Sequence, residues 1–209
     1  MTKQRLHLFG RLTSLVKGMR QMMAEKPSMG YAILGLVLLV PSAAIAATAT
    51  IEKPFTGAVM ATSWFSEETS GSQAPGSFFW GVLLRGSYSN DLKLRYYALE
   101  PGYTMQNQTA EFVVSDENGA VFVTCPTDTW ISSVRTSGSY SDNVHFRCSE
   151  LWKGSKRIVH SATGYFKSGW YSEEVGMNDF NCPVDTALTG FACADSYCDD
   201  MSYVCMGFR

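Results

Sequence analysis

After residue 50 the apolar side chains recur at every second position in short runs, and no 3.6-residue period appears. Three runs carry the pattern most clearly. Leu92, Leu94 and Tyr96 alternate with Asp91, Lys93 and Arg95; Val144, Phe146 and Cys148 with Asn143, His145 and Arg147; Met201, Tyr203 and Cys205 with Asp200, Ser202 and Val204. Each run predicts a half-buried strand with one apolar face turned inward. Turn formers such as Ser87-Tyr88-Ser89-Asn90 and Ser139-Tyr140-Ser141-Asp142 precede them, so each copy reads as strand, turn, strand. Between copies, residues 111–115 and 120–124 flank Asp116-Glu117-Asn118-Gly119, where Asn-Gly predicts a β-hairpin.

The runs belong to an internal repeat. Residues 125–148 (CPTDTWISSVRTSGSYSDNVHFRC) and 182–205 (CPVDTALTGFACADSYCDDMSYVC) align without a gap, and eight of the 24 positions are identical. A third, cysteine-free copy lies upstream in FFWGVLLRGSYSNDLKLRYY. Repeats of ~50 residues imply one supersecondary unit used three times. The expected organisation is a leader over 1–46 and one all-β domain over 47–209, with repeats near 60–100, 101–150 and 165–209.

All six cysteines lie in the second part, and an even count on an exported chain reads as a disulfide framework. Equivalent positions in equivalent units pair alike. This selects Cys125 with Cys148 and Cys182 with Cys205, and leaves Cys193 with Cys198. A zinc site on cysteines 182, 193, 198 and 205 is disfavoured, because zinc prefers closer paired spacings and the middle copy holds only two of those positions.

The first 46 residues read as a signal peptide. Lys3, Arg5, Arg11, Lys17, Arg20 and Lys26 precede an apolar run from Tyr31 to Val40, then Pro41, then the small residues Ala44-Ile45-Ala46 before the expected cleavage point. The competing reading is an uncleaved anchor over Met29 to Ala47, against the ~20 apolar residues that a span usually needs. Removing 1–46 takes six of the 17 Lys/Arg and one of the 19 Asp/Glu, which leaves 11 basic and 18 acidic residues and a net charge of −7. That balance argues against nucleic acid and against an anionic membrane surface, both of which need clustered cations. The expected location is secreted, cell-surface or periplasmic, with no membrane span after cleavage.

Residues of the middle copy resemble a known family. Cys125-Pro126-Thr127, then Arg135, then Asp142-Asn143 and Phe146-Arg147-Cys148-Ser149 are similar to the repeats of vitelline membrane outer layer protein 1. The resemblance implies a three-repeat β-prism, with three antiparallel Greek-key sheets around a pseudo-threefold axis, here stapled by disulfides. The family's longer turn is replaced by Ser-Tyr-Ser/Cys-Asp-Asn/Asp, and the first copy lacks its cysteines. Dermatopontin-like repeats share the cysteine cadence and form the second family resemblance.

A further element recurs as Trp64-Phe65-Ser66-Glu67-Glu68 and Trp170-Tyr171-Ser172-Glu173-Glu174, with no comparable copy before Cys125. An indole beside a second ring and carboxylates can stack on a sugar and accept its hydroxyl protons. The candidate ligand-binding set is therefore Trp64, Phe65, Glu67, Trp170, Tyr171 and Glu173. The competing reading buries both tryptophans, because large aromatics dominate small cores. Adjacent glutamates on a strand face opposite sides, which weighs against a glycosidase pair at Glu173 and Glu174. Asp195, Asp199 and Asp200 crowd the last turn without a calcium motif and read as solvated turn residues. His145 and His160 stand near no Gly-x-Ser-x-Gly elbow, and His145 belongs to the polar face of its strand. Asn107-Gln108-Thr109 matches a glycosylation acceptor.

No catalytic residue, metal site or cofactor is expected. The leading expectation is a lectin-like binding module for a glycan. The second is an interaction subunit of an envelope or toxin assembly, which would be oligomeric and bind an envelope protein. The third is a glycan-acting hydrolase.

Overall fold

The computed structural model describes residues 51–65, 76–86, 91–115, 117, 119–138, 142–172 and 176–209. They belong to one compact unit, Ala47–Arg209. The expected leader lies outside the described residues. So do Glu67, Glu173 and the Ser-Tyr-Ser segments at 87–89 and 139–141.

The chain is all-β and antiparallel. The first repeat supplies β1 (Phe55–Ala61), β2 (Phe79–Arg85) and β3 (Asp91–Leu99); the second supplies β4 (Tyr103–Gln106), β5 (Phe112–Ser115), β6 (Val123–Thr124), β7 (Trp130–Ser137), β8 (Asn143–Lys153) and β9 (Lys156–Arg157). The third supplies β10 (His160–Lys167), β11 (Tyr171–Ser172), β12 (Asn178–Asn181), β13 (Thr186–Ala194) and β14 (Asp200–Phe208). Each repeat is centred on a hairpin, β2–β3, β7–β8 or β13–β14, and the three hairpins share one irregularity. The register slips between Phe79 and Gly81, between Ile131 and Ser133, and between Leu188 and Gly190. Trp80, Ser132 and Thr189 are therefore the same bulge residue three times, which carries the repeat from sequence into backbone geometry.

Neighbouring sheets exchange strands. The first sheet has the order β1-β3-β2-β12, so its last strand comes from the third repeat; the third has the order β10-β14-β13-β6, so its last strand comes from the second. The chain then leaves each borrowed strand through a half-cystine. Cys182 N–H donates to the carbonyl of Trp80 at 2.7 Å, and Cys125 N–H donates to that of Thr189 at 2.6 Å. Disulfides Cys182–Cys205 and Cys125–Cys148 fix these crossings, and Cys193–Cys198 closes the last turn. All three pairings are those the repeat selects. They suit an oxidising, extracellular-type environment. No helix among the described residues is long and apolar enough to cross a membrane.

This exchange overturns the hairpin expected at Asp116 to Gly119. The strand before it, β5, pairs with β8, whereas the strand after it, β6, pairs with β13 of another sheet. The local Asn-Gly preference is overridden by the long-range pairing of both flanks.

Identity between repeats now has a physical reading. Thr129 folds back on the carbonyl of Pro126, and Thr186 on that of Pro183, each through its N–H (3.2 Å) and its hydroxyl (2.7 Å). Asp128 and Asp185 occupy the left-handed position of these turns at φ 61° and 60°, which short polar side chains tolerate. Asp128 also accepts the N–H of His160 at 2.7 Å, and Asp185 pairs with Lys53 at 3.3 Å, so each turn grips the start of the next repeat.

Inward residues of the three central hairpins merge in one core, with Leu92, Leu94, Val144, Phe146, Met201 and Tyr203 all buried. The expected polar face of the last strand departs from the pattern, since Ser202 and Val204 are buried too. Ser168 covers this strand, and its hydroxyl lies 3.2 Å from that of Ser202. A second cluster closes one end with Phe78, Trp130, Ala187, Leu151 and Phe208. Phe78, Trp130 and Ala187 are repeat equivalents, and the small Ala187 is offset by the large Phe208, which stacks on Trp130 at 4.6 Å. Glu52 pins the first segment over this end: its N–H donates to Phe208, while its carboxylate receives Tyr103 (2.6 Å), Lys153 (3.1 Å) and Lys156 (3.0 Å).

Trp130 is fully buried and donates its indole N–H to Met206 of the third repeat at 3.1 Å. Trp130→Ala should therefore cost about 3–5 kcal/mol in denaturant unfolding. A loss below about 1 kcal/mol, the scale of an ordinary surface substitution, would contradict this packing.

Candidate functional site

One local device sets which side chains face outward in every repeat. Thr62, Thr109 and Ser168 each place their hydroxyl where a strand carbonyl would stand, accepting the N–H of Leu94 (3.0 Å), Cys148 (3.0 Å) and Tyr203 (2.9 Å). Their own N–H groups donate back to the carbonyls of the same three residues. Three positions later the outer strand resumes with an aromatic ring, Phe65, Phe112 or Tyr171, paired to Leu92, Phe146 or Met201. In the middle repeat that pairing is shifted by two residues, which preserves the facing. The residues just before the rings, Trp64, Glu111 and Trp170, are thus equivalents and point away from the core. In the middle repeat Glu111 holds this backbone position, a carboxylate where the other two have an indole.

Trp170 is 45% exposed, Trp64 is half-buried at the surface, and Phe65 is 2% exposed in the core. The structure thus separates the candidate set. Trp170 offers its ring to solvent and Trp64 lies half-buried at the surface under Arg85, whereas Phe65 and Tyr171 pack on the core. Arg85 lies 4.0 Å over the Trp64 ring and Lys93 5.6 Å from it, with Asp91 bound to Arg85 at 3.0 Å. Trp170 is tilted against Phe122 at 6.1 Å, and Lys167 sits 3.9 Å over Phe122. Each platform therefore joins an aromatic surface to charged hydrogen-bonding groups on a rigid sheet.

Glu111 organises a different surface, a depression of about 320 Å³ also lined by Gln108, Ser133, Arg135, His145 and Arg147. Arg135 grips the Glu111 carboxylate with both Nε (2.9 Å) and Nη2. That bidentate pair holds the Glu111 pKa at about 2. His145 lies 3.0 Å from Glu111 through Nδ1 and 2.6 Å from Ser137 through Nε2. The order Ser137, His145, Glu111 has the layout of a nucleophilic relay. Arg135 intrudes on it. Its Nη2 stands 2.9 Å from Nδ1, and a guanidinium only donates, whereas the Glu111 carboxylate at the same nitrogen only accepts. Nδ1 thus meets a donor and an acceptor at once, and the proton sits on Nδ1 or Nε2 according to which of them it engages. Among the described residues that line the depression, Glu111 is the one carboxylate.

Sequence reasoning placed His145 on a polar strand face but missed its partners, because Arg135 reaches it from β7 and Glu111 from the residue just before β5. The Thr/Ser-x-x-aromatic spacing was the available signal for Glu111. At the glycosylation match, Thr109 spends its hydroxyl inside the ladder and the Asn107 amide donates to Glu150 at 2.6 Å.

No family model matches the chain, and neither does any curated protein or solved structure.

The charged groups predict an acid-sensitive fold. Burial lowers the pKa of His145 and His160, so the unfolded chain takes up their protons first and stability falls as the pH drops below about 6.5. Glu52 and Glu111, held at about 2 against an ordinary 4.5, add a further loss as the pH falls from 4.5 toward 2. Thermal melts from pH 7 to pH 3 should show both stages, and His145→Gln should shrink the first while leaving the share of it that His160 carries. A Tm constant across that range would contradict the assignment.

Proposed function

We propose that this protein is an exported, lectin-like carbohydrate-binding module that works at a cell surface, in a periplasm or in the surrounding medium. The observation that carries this reading is the outward placement of Trp64 and Trp170 at equivalent points of the first and third repeats. Exposing a large ring costs a small protein part of its best core material, and a ligand that stacks on the ring gives it a use. The adjoining Arg85, Asp91, Lys93 and Lys167 supply donors and acceptors for hydroxyl groups. Two platforms on one rigid domain also allow a branched or repeated glycan to engage both, so that avidity exceeds either contact alone. The resemblance to the vitelline membrane outer layer repeats belongs to the same reading, as an argument from fold.

A second reading, an interaction subunit of an envelope or toxin assembly, has its own support. Ile51, Tyr165, Phe166 and Val184 are exposed around one depression of about 250 Å³, which is apolar surface suited to a protein partner.

A glycan array with oxidised protein tests the first reading. Specific binding is expected, and Trp64→Ala or Trp170→Ala should weaken it by about tenfold while the variants melt close to the parent. Silence across the array from folded protein, with self-association on size-exclusion chromatography, would transfer the assignment to the assembly subunit.

A further inference from the structure

The scaffold uses the same residue positions three times, so a position that every repeat fills differently marks where the repeats diverge in what they present. The bulge residue and the residue diagonally across the hairpin from it are such a pair. In the second repeat they are Ser132 and Ser149, both buried, with hydroxyls 2.8 Å apart. In the third they are Thr189 and Met206, with the Thr189 hydroxyl bonded to the Val204 carbonyl at 3.3 Å. In the first they are Trp80 and Tyr97, two large rings stacked at 4.8 Å and 13°.

This pair stands at the crossing where the third repeat hands β12 to the first sheet, and the Pro183–Thr186 turn lies beside it. Between them is a cleft of about 190 Å³ whose walls include Trp80, Tyr97, Thr56, Val184, Asp185 and Thr186. Val184 is 87% exposed at its lip. The Trp80 indole N–H is buried and has no hydrogen-bond partner, a state that folded proteins seldom leave unexplained. Phe55 supports Tyr97 from another side at 5.6 Å. The cleft thus combines an aromatic wall, the Asp185 carboxylate, paired among the described residues with the exposed Lys53, and the hydroxyl-bearing side chains of Thr56 and Thr186. It is smaller than the ~300–1,000 Å³ of pockets for drug-sized ligands.

We infer that this cleft is a binding site for a single monosaccharide-sized ring, with the Trp80–Tyr97 stack under its apolar face and Asp185 accepting from its hydroxyl groups. The ligand class rests on the carbohydrate reading above, but the residues are separate from Trp64 and Trp170. The site is then a built pocket for one terminal sugar, whereas the two outer indoles are open platforms.

The repeat supplies its own control. Trp80→Ser with Tyr97→Ser installs the pair that the second repeat already packs, and Asp185→Asn removes the carboxylate while keeping a side chain that tolerates the left-handed turn. The probe is a panel of methyl glycosides of common hexoses, with binding followed by saturation-transfer NMR and calorimetry. Affinity for the preferred glycoside should drop by about tenfold or more in Trp80→Ser/Tyr97→Ser and several-fold in Asp185→Asn, and change less than about twofold in Trp64→Ala/Trp170→Ala. Should the double serine variant not fold, Trp80→Phe, which deletes only the indole N–H and one ring, takes its place with the same expected direction. Unchanged affinity in a folded cleft variant overturns the site. No glycoside binding by a protein that is positive on the glycan array overturns the cleft and spares the outer platforms, whereas silence in both assays overturns both.

Discussion

The half-cystine N–H that donates to a bulge carbonyl of the neighbouring sheet is the constraint on which the rest depends. At Cys182 and Cys125 the chain has just completed a borrowed strand and is about to begin its own repeat's central hairpin. A crossing placed there couples two sheets through one backbone bond, and the disulfide holds the same residue to the hairpin it is entering. Without a fixed crossing, β6 and β12 would be short edge segments of two and four residues with little to hold them. The bulge residue's carbonyl receives that bond at Trp80 and at Thr189, in the two hairpins that border a borrowed strand.

The repeat sequence made much of this readable. Alternation located the inward faces of β3, β8 and most of β14, and the paired cysteines followed from equivalence alone. What was not readable was the destination of each strand. Nothing near Asn118-Gly119 signals that the flanking strands join different sheets, because that choice is made by partners more than 50 residues away, such as Phe191 facing Val123. The same limit applied to chemistry. His145 was visible as a polar-face residue, yet its electrostatic setting depends on Arg135 of β7 and on Glu111 just before β5. The Trp80–Tyr97 cleft was hidden for the same reason, since its second wall is a turn of the third repeat.

Read through the scaffold, the repeats have separate surface roles. The second carries the Glu111–Arg135–His145 network, in which the Arg135 guanidinium holds the carboxylate ionised down to about pH 2 and the His145 ring lies against both. The first has given up its half-cystines, with Tyr96 standing where Cys148 and Cys205 stand, and has taken on Trp80, Tyr97 and Trp64. The third retains two disulfides and presents Trp170 with Phe122. Rigid staples in two repeats and aromatic surface in the first fit a small domain that presents fixed rings to a ligand without reorganising.

Indole N–H resonances offer the most direct test of that account. The chain has five tryptophans, and a ¹H–¹⁵N titration with the best array glycan reads each of them separately. Trp64, Trp80 and Trp170 should shift on binding, while Trp130, bonded to Met206, and Trp152, bonded to Glu150 at 2.9 Å, should stay in place. Saturation that leaves Trp64, Trp80 and Trp170 unmoved would contradict carbohydrate recognition by these aromatic surfaces.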